Sequence, residues 1–250
     1  SDRNLIDLRF PVQYVLRPNM DFRGYCGRLA SGVVRKGDEI LVLPSQRKTR
    51  VRSLESYEGE RAYAFASQSI TLTLEDEIDI TRGDMLVHSA NLPQIRREIE
   101  AILVWMDQSP LVPGKVYKIK HTTQFITCSI SHLQFRIDPS TLNRQGANAL
   151  NLNEIGRVTV QCFRPIFCDE YTKNRQTGSF ILIDPITHAT VAAGMIIERG
   201  HLPSMVRPDE KTVSKSAFIH RQEGEVSIRD RERLLKQRPA TLWLTGLSGA

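Results

Sequence analysis

Short apolar runs, each closed off by Gly, Pro, Asp or Asn, follow one another through most of this 250-residue chain. That punctuation constrains the fold more than any other feature of the sequence. An amphipathic helix needs apolar residues at a period of about 3.6, and across the first 90 residues no such stripe persists. Where alternation is clean its period is two: Ile126, Cys128 and Ile130 against Thr127, Ser129 and Ser131, or Val51 between Arg50 and Arg52. Many short strands at regular spacing predict a mainly β chain built as closed barrels or sandwiches.

The first block, 1–90, holds strand signals at 10–16 (FPVQYVL), 24–34, 35–45, 49–57, 64–74 and 80–89. Glycines in "GYCGRLASGVV" (24–34) suit a bend or bulge. "SANLPQ" (89–94) reads as a short linker. A second β-rich block occupies 94–199. In it, 97–106 is a strand, 110–138 gives two strands, 138–156 is a polar loop with one short helical turn, and 157–167 is a strand with Val158, Val160 and Cys162 on one face. Residues 178–197 form a hairpin around Asp184-Pro185. From Gly200 the character changes to a polar, proline-containing linker, 200–224. Residues 225–238 can form an amphipathic helix capped by Ser227, with Asp230 in its first turn and Pro239 ending it.

The last ten residues, "TLWLTGLSGA", read as a buried strand (Leu242, Trp243, Leu244) running into a glycine-rich turn, Gly246-Leu247-Ser248-Gly249-Ala250. A phosphate-binding loop, G-x-x-x-x-G-K-[ST], follows a strand and opens a helix. Its glycines let backbone N–H groups converge on a phosphate, because no Cβ blocks that path. Gly246 fits the first glycine and Ala250 the residue before the second. The lysine and hydroxyl that would reach the phosphates and Mg²⁺ would come next. The C-terminus therefore reads as a cut end of a longer protein, and so does the N-terminus, "SDRNLIDLRF", which starts without Met and has no apolar signal core; this stretch alone is not expected to bind ATP. The other reading is an ordinary Gly/Ser turn.

The net charge, 34 − 28 = +6, suits anionic partners, although the positives are scattered except at 45–52 and 229–238. Arg47, Lys48, Arg50 and Arg52 are most simply a solvated strand edge protected by charge. No run approaches the roughly 18 apolar residues a membrane span needs, so no membrane partner is expected. Cys26, Cys128, Cys162 and Cys168 form no C-x-x-C or zinc spacing, which points to free thiols in a reduced, cytoplasmic setting. The six histidines, His88, His121, His132, His188, His201 and His220, pair with no ligand at helical spacing, and no metal site is expected. "RGD" (82–84) and "KGD" (36–38) are expected to be structural Gly-Asp turns.

Three stretches carry a family resemblance. Residues 8–45, with Gly27, Gly32, Gly37 and Asp38 at the matching positions, resemble the barrel that follows the G domain in translational GTPases. "DEYTKNRQTGSFILIDPITHATVAAGMI" (169–196) is more specific. It resembles the large, GTP-binding subunit of bacterial ATP sulfurylase (sulfate adenylyltransferase subunit 1), a relative of the elongation factors. In some bacteria that subunit is fused to a C-terminal adenylylsulfate (APS) kinase, as in a rhizobial nodulation protein. Residues 218–250 resemble the entrance to that kinase.

The resemblance implies two consecutive translation-factor-like β-barrels, then a linker and the first strand of an α/β phosphate-loop kinase domain (225–250). It implies an intact parent that uses GTP, ATP and Mg²⁺ to convert ATP and sulfate to APS and pyrophosphate, and then APS to PAPS. It also implies a separate small subunit as partner, alongside the parent's own GTPase and kinase domains. The stretch in hand would bind no cofactor itself and would supply docking surfaces. Two other classes remain open. One is a pair of translation-factor barrels that hold aminoacyl-tRNA, although nucleic acid is not the expected partner. The other is a non-catalytic protein-binding module.

Overall fold

The computed structural model describes residues 4–198, apart from 20, 21, 140 and 142. The expected linker, the helix at 225–238 and the strand and loop at 241–250 lie outside the described residues. Up to residue 90 the strands are β1 (Phe10–Leu16), β2 (Gly24–Arg28), β3 (Val33–Arg35), β4 (Glu39–Leu43), β5 (Arg47–Ser56), β6 (Gly59–Arg61), β7 (Tyr63–Phe65), β8 (Ser69–Leu74) and β9 (Met85–Val87). Beyond it come β10 (Gln94–Trp105), β11 (Val116–His121), β12 (Gln124–Ile137), β13 (Arg144–Gln145), β14 (Ile155–Cys168), β15 (Ser179–Ile183) and β16 (Thr190–Ile197). No helix occurs among the described residues.

Each block closes on itself. The first sheet runs β4-β9-β1-β2-β8-β5, and β5 pairs back onto β4, a ring of six strands with β6 attached outside. The second runs β11-β15-β16-β10-β14-β12, and β12 pairs back onto β11, again six, with β13 attached. Every pairing is antiparallel, and register shifts bend the strands between Val12 and Tyr14, Val51 and Ser53, and Arg96 and Glu98. Such bulges supply the curvature that closure demands.

Alternation fills the interiors. Phe10, Val12, Ile40, Val42, Val51, Leu54 and Leu72 point into the first barrel. Ile99, Ala101, Leu103, Trp105, Ile119, Cys128, Ile130, Val158 and Val160 point into the second. Each large apolar side chain so buried contributes roughly 1.5–3 kcal/mol. Trp105 and Tyr117 meet edge to face at 5.8 Å between ring centres. The ribbon of β3 and β7 adds Val34 and Ala64 to the first core.

Most expected strands are present, with three differences. The single run expected at 64–74 is two strands, β7 and β8, broken where Ser67 takes φ 78°. The polar loop 138–156 contains the short strand β13 rather than a helical turn, because Arg144 and Gln145 pair with Ile137 and Arg136. Finally, β5, which carries Arg47, Lys48, Arg50 and Arg52, is not an edge strand: it is paired to β4 and β6 along one side and to β8 along the other. Barrel closure removes the edge that those charges were expected to protect.

Candidate functional site: the junction between the barrels

β4 and β9 are buried on both faces. Ile40, Val42 and Leu86 point inward, while Leu41, Leu43, Met85 and Val87 point outward and are covered by Phe167 of β14. This apolar contact joins the barrels, and both lie in one compact unit, Ser1–Pro203.

Beside it sits a polar clasp. Arg9, whose side chain is 1% exposed, sends Nε and Nη2 to the two carboxylate oxygens of Asp169 at 2.9 and 3.0 Å. Its Nη1 donates to the Leu8 and Asn91 carbonyls, both at 2.9 Å. A buried guanidinium is tolerable only when its donors are matched in this way. Asp169 also accepts from Thr177 Oγ1 at 2.6 Å. Asn174 donates to Ser31 Oγ across the junction at 2.8 Å, and Ser31 Oγ donates to the Asp7 carbonyl at 2.6 Å. Asn91 in turn donates to the Asp7 carboxylate.

The loop 169–178 is held for this task by its own backbone. Asn174 N–H donates to the Glu170 carbonyl and Gly178 N–H to the Asn174 carbonyl, while Tyr171 N–H donates to Ile196. The turn is so tight that a Cβ at Gly178 would lie 2.4 Å from Tyr171 Cα. The stretch that carries the most specific resemblance, 169–196, thus begins with the loop that fastens the second barrel to the first.

His121, at the end of β11, extends the network. Its ring is fully buried, with Nε2 2.7 Å from the Thr177 carbonyl, so Nε2 carries the proton in the neutral ring. Burial pushes its pKa down, opposed first by that carbonyl and then by Asp169. Thr122 and Thr123 of this β11–β12 turn each keep a buried hydroxyl oxygen without a partner among the described residues, while the Gln124 side chain lies beside the His121 ring and favours its charged form.

The remaining candidates from the sequence are structural. Gly37 and Gly83 take φ of 88° and 98°. In both turns the aspartate carboxylate accepts from the backbone three residues earlier, Asp38 from Arg35 and Asp84 from Thr81, each at 2.8 Å. The KGD and RGD turns are one device used twice. Cys128, Cys162 and Cys168 are free, buried thiols, and burial pushes them up to about 12, 11 and 12. His88 lies 3.5 Å from Asp38, His132 is in β12, and His188 sits in a turn at φ 59°. His201 and His220 lie outside the described residues, as do Gly246, Leu247, Ser248, Gly249 and Ala250. Among the described residues no group of three or more His, Cys, Asp or Glu side chains is placed to hold a metal ion. Nothing in the sequence around Arg9 or Asn174 marks either as part of a clasp. A lone arginine between Leu8 and Phe10 carries no pattern that marks it as a clasp.

Comparison with known proteins gives consistent findings. "Elongation factor Tu domain 2" matches residues 25–87, and "GTP-eEF1A C-terminal domain-like" matches 98–197. The "Bifunctional enzyme CysN/CysC" of Rhodopirellula baltica is 48% identical over 252 residues, covering 100% of this chain and 38% of that protein. Its namesake in Mycobacterium tuberculosis is 44% identical over 256 residues, with 100% and 39% covered. The "Sulfate adenylyltransferase subunit 1" of Bacteroides fragilis is 52% identical over 199 residues, with 80% and 42% covered. The chain thus spans about two fifths of the length of these relatives. A solved structure of sup35 complexed with GDP matches at TM-score 0.70 and 15% identity, over 77% of this chain and 47% of that one. At that identity the likeness speaks for the fold alone.

Proposed function

From its homology to sulfate adenylyltransferase subunit 1 and to the bifunctional enzyme CysN/CysC, we propose that this chain is the two-barrel part of a sulfate-activating enzyme. The observation that carries the reading is the 48% identity to a bifunctional enzyme along the whole chain, including residues 199–250 beyond the barrels. In the intact protein a GTPase domain hydrolyses GTP to drive ATP and sulfate toward APS and pyrophosphate. A separate small subunit holds the adenylyl-transfer site. A C-terminal kinase then converts APS to PAPS with ATP and Mg²⁺. Residues 1–90 and 94–199 are the two barrel domains, 200–224 the linker and 225–250 the start of the kinase. Gly246 to Ala250 would open its phosphate loop. Free thiols at Cys128, Cys162 and Cys168 suit a cytoplasmic setting.

The barrels contribute geometry. Two sites on different domains can be coupled only if a two-state element is biased by both, and the bias must be transmitted by something stiff. The apolar plug at Phe167 and the clasp through Arg9, Asp169 and Asn174 make the barrels one such body. A hinge between them would absorb a displacement that a fastened pair passes on.

The test is reconstitution of the full-length protein with the small subunit. Sulfate-dependent release of pyrophosphate from ATP that rises with GTP, followed by labelled PAPS, supports the reading. ATP and GTP turnover indifferent to sulfate overturns it.

A further inference from the structure

Between the RGD turn of the first barrel and the β11–β12 turn of the second lies a cleft of about 320 Å³. Its walls include Arg82, Asp84, Thr123, Gln124, Phe125 and Arg164. Neither Arg82 nor Arg164 is used by the fold: both are exposed, and neither guanidinium has a hydrogen-bond or ion-pair partner among the described residues. Phe125 is 51% exposed, and Phe163, outward-facing on the neighbouring β14, is 60% exposed. Thr123 Oγ1 is buried without a partner among the described residues. Buried orphan atoms are uncommon, because each forfeits the hydrogen bond that it had in water.

Two unpaired guanidinium groups call for an anion. The rest of the wall selects among anions. Inorganic phosphate would leave the exposed face of Phe125 uncovered, whereas a polypeptide can cover it with an apolar side chain. A polypeptide offers N–H donors beside its carboxylates. A nucleic-acid backbone would lay a line of phosphates past Asp84, whose half-buried carboxyl is already pushed up by burial and, more weakly, by Asp79. One or two spaced carboxylates held at the arginines meet that repulsion less than a continuous line of phosphates does. Exposed phenylalanine beside arginine is also the composition of protein-binding hot spots rather than of solvated surface.

We infer that this inter-barrel cleft is a docking site for an acidic segment of the small subunit, its carboxylates between Arg82 and Arg164, its main chain on Thr123, and an apolar side chain on Phe125. The inference rests on the functional reading above for the identity of that partner. It has a structural consequence: a segment seated there touches both barrels at once and binds only while they stay fastened.

The experiment measures the affinity of the purified small subunit for the full-length protein, and then of overlapping synthetic peptides that span the small subunit. In the wild type, binding is expected to weaken with salt, and acidic peptides are expected to bind. Arg82→Glu and Arg164→Glu are each expected to weaken binding about tenfold, and Thr123→Val about threefold. Arg47→Glu with Arg50→Glu, on β5 and outside the cleft, controls for bulk charge and should leave affinity unchanged. The arginine variants fold as the wild type does, since neither side chain has an internal partner, and thermal melts check this. Equal binding by wild type and cleft variants refutes the cleft and leaves the functional reading standing. Failure of the small subunit to bind the wild type overturns both. Displacement of the peptide by equimolar phosphate or a short RNA overturns the choice of an acidic peptide as occupant.

Discussion

Breaking the Arg9–Asp169 pair should cost several times what an ordinary surface ion pair costs. The Lys36–Glu60 pair is 57% and 53% exposed, and such pairs contribute about 0–1 kcal/mol. Arg9 and Asp169 are 1% and 13% exposed, so whichever is left behind keeps a charge with little water to solvate it. Removing one partner of a buried pair costs about 3–5 kcal/mol. The residual exposure of Asp169 places this case near the lower end. Asp169→Asn leaves the guanidinium short of one charged acceptor. Arg9→Met also strips the Leu8 and Asn91 carbonyls of their donor. Each single change should cost about 3 kcal/mol, and the double variant should cost much less than the sum. Urea denaturation of the four proteins gives the cycle. Hydrogen exchange locates the loss: amides at 88–97 and 169–178 should exchange about 100-fold faster, the equivalent of about 3 kcal/mol, while strands interior to each barrel keep their protection. Single variants that lose less than about 1 kcal/mol, or costs that simply add, would show that the pair does not hold the junction.

Other consequences are as direct. Gly194 faces Phe180 across β15 and β16, and a Cβ there would lie 2.3 Å from Phe180 Cζ, so Gly194→Ala should lose roughly 1–3 kcal/mol, with Phe180→Leu recovering part of it in a thermal melt. His121 is held neutral in the fold with its pKa lowered, so the unfolded chain takes up a proton first as pH falls. Its contribution is therefore complete above about pH 6.5 and declines below it, by at most about 1.4 kcal/mol per pH unit, and His121→Gln should flatten that slope. An unchanged slope would contradict the burial argument. Cys128, Cys162 and Cys168 should resist thiol reagents in the native protein while half-buried Cys26 reacts, as mass mapping of labelled peptides would show.

The barrels were legible because alternation is local. Once Val158, Val160 and Cys162 share a face, pairing and closure follow from burying that face. The Gly-Asp turns were legible for the same reason, since a turn needs only its own four residues. The basic residues of β5 were misread because an edge is a property of the whole sheet: nothing within 45–52 reveals that β4 and β8 flank it on both sides. The clasp was hidden for a related reason. Arg9 and Asp169 are 160 positions apart, and neither is unusual in its own surroundings. The stretches that contain them, 8–45 and 169–196, stand out through resemblance rather than through any physical pattern that marks a clasp.

The central claim, that the fastened barrels transmit GTP-driven work in sulfate activation, is met most directly by one ratio. It is the number of APS molecules formed per GTP hydrolysed by the full-length protein with its small subunit, measured in wild type and in Asp169→Asn. The account predicts that the variant still hydrolyses GTP while its yield of APS per GTP falls. An unchanged ratio in a variant whose junction has opened by hydrogen exchange would contradict the account and reduce the barrels to a passive tether.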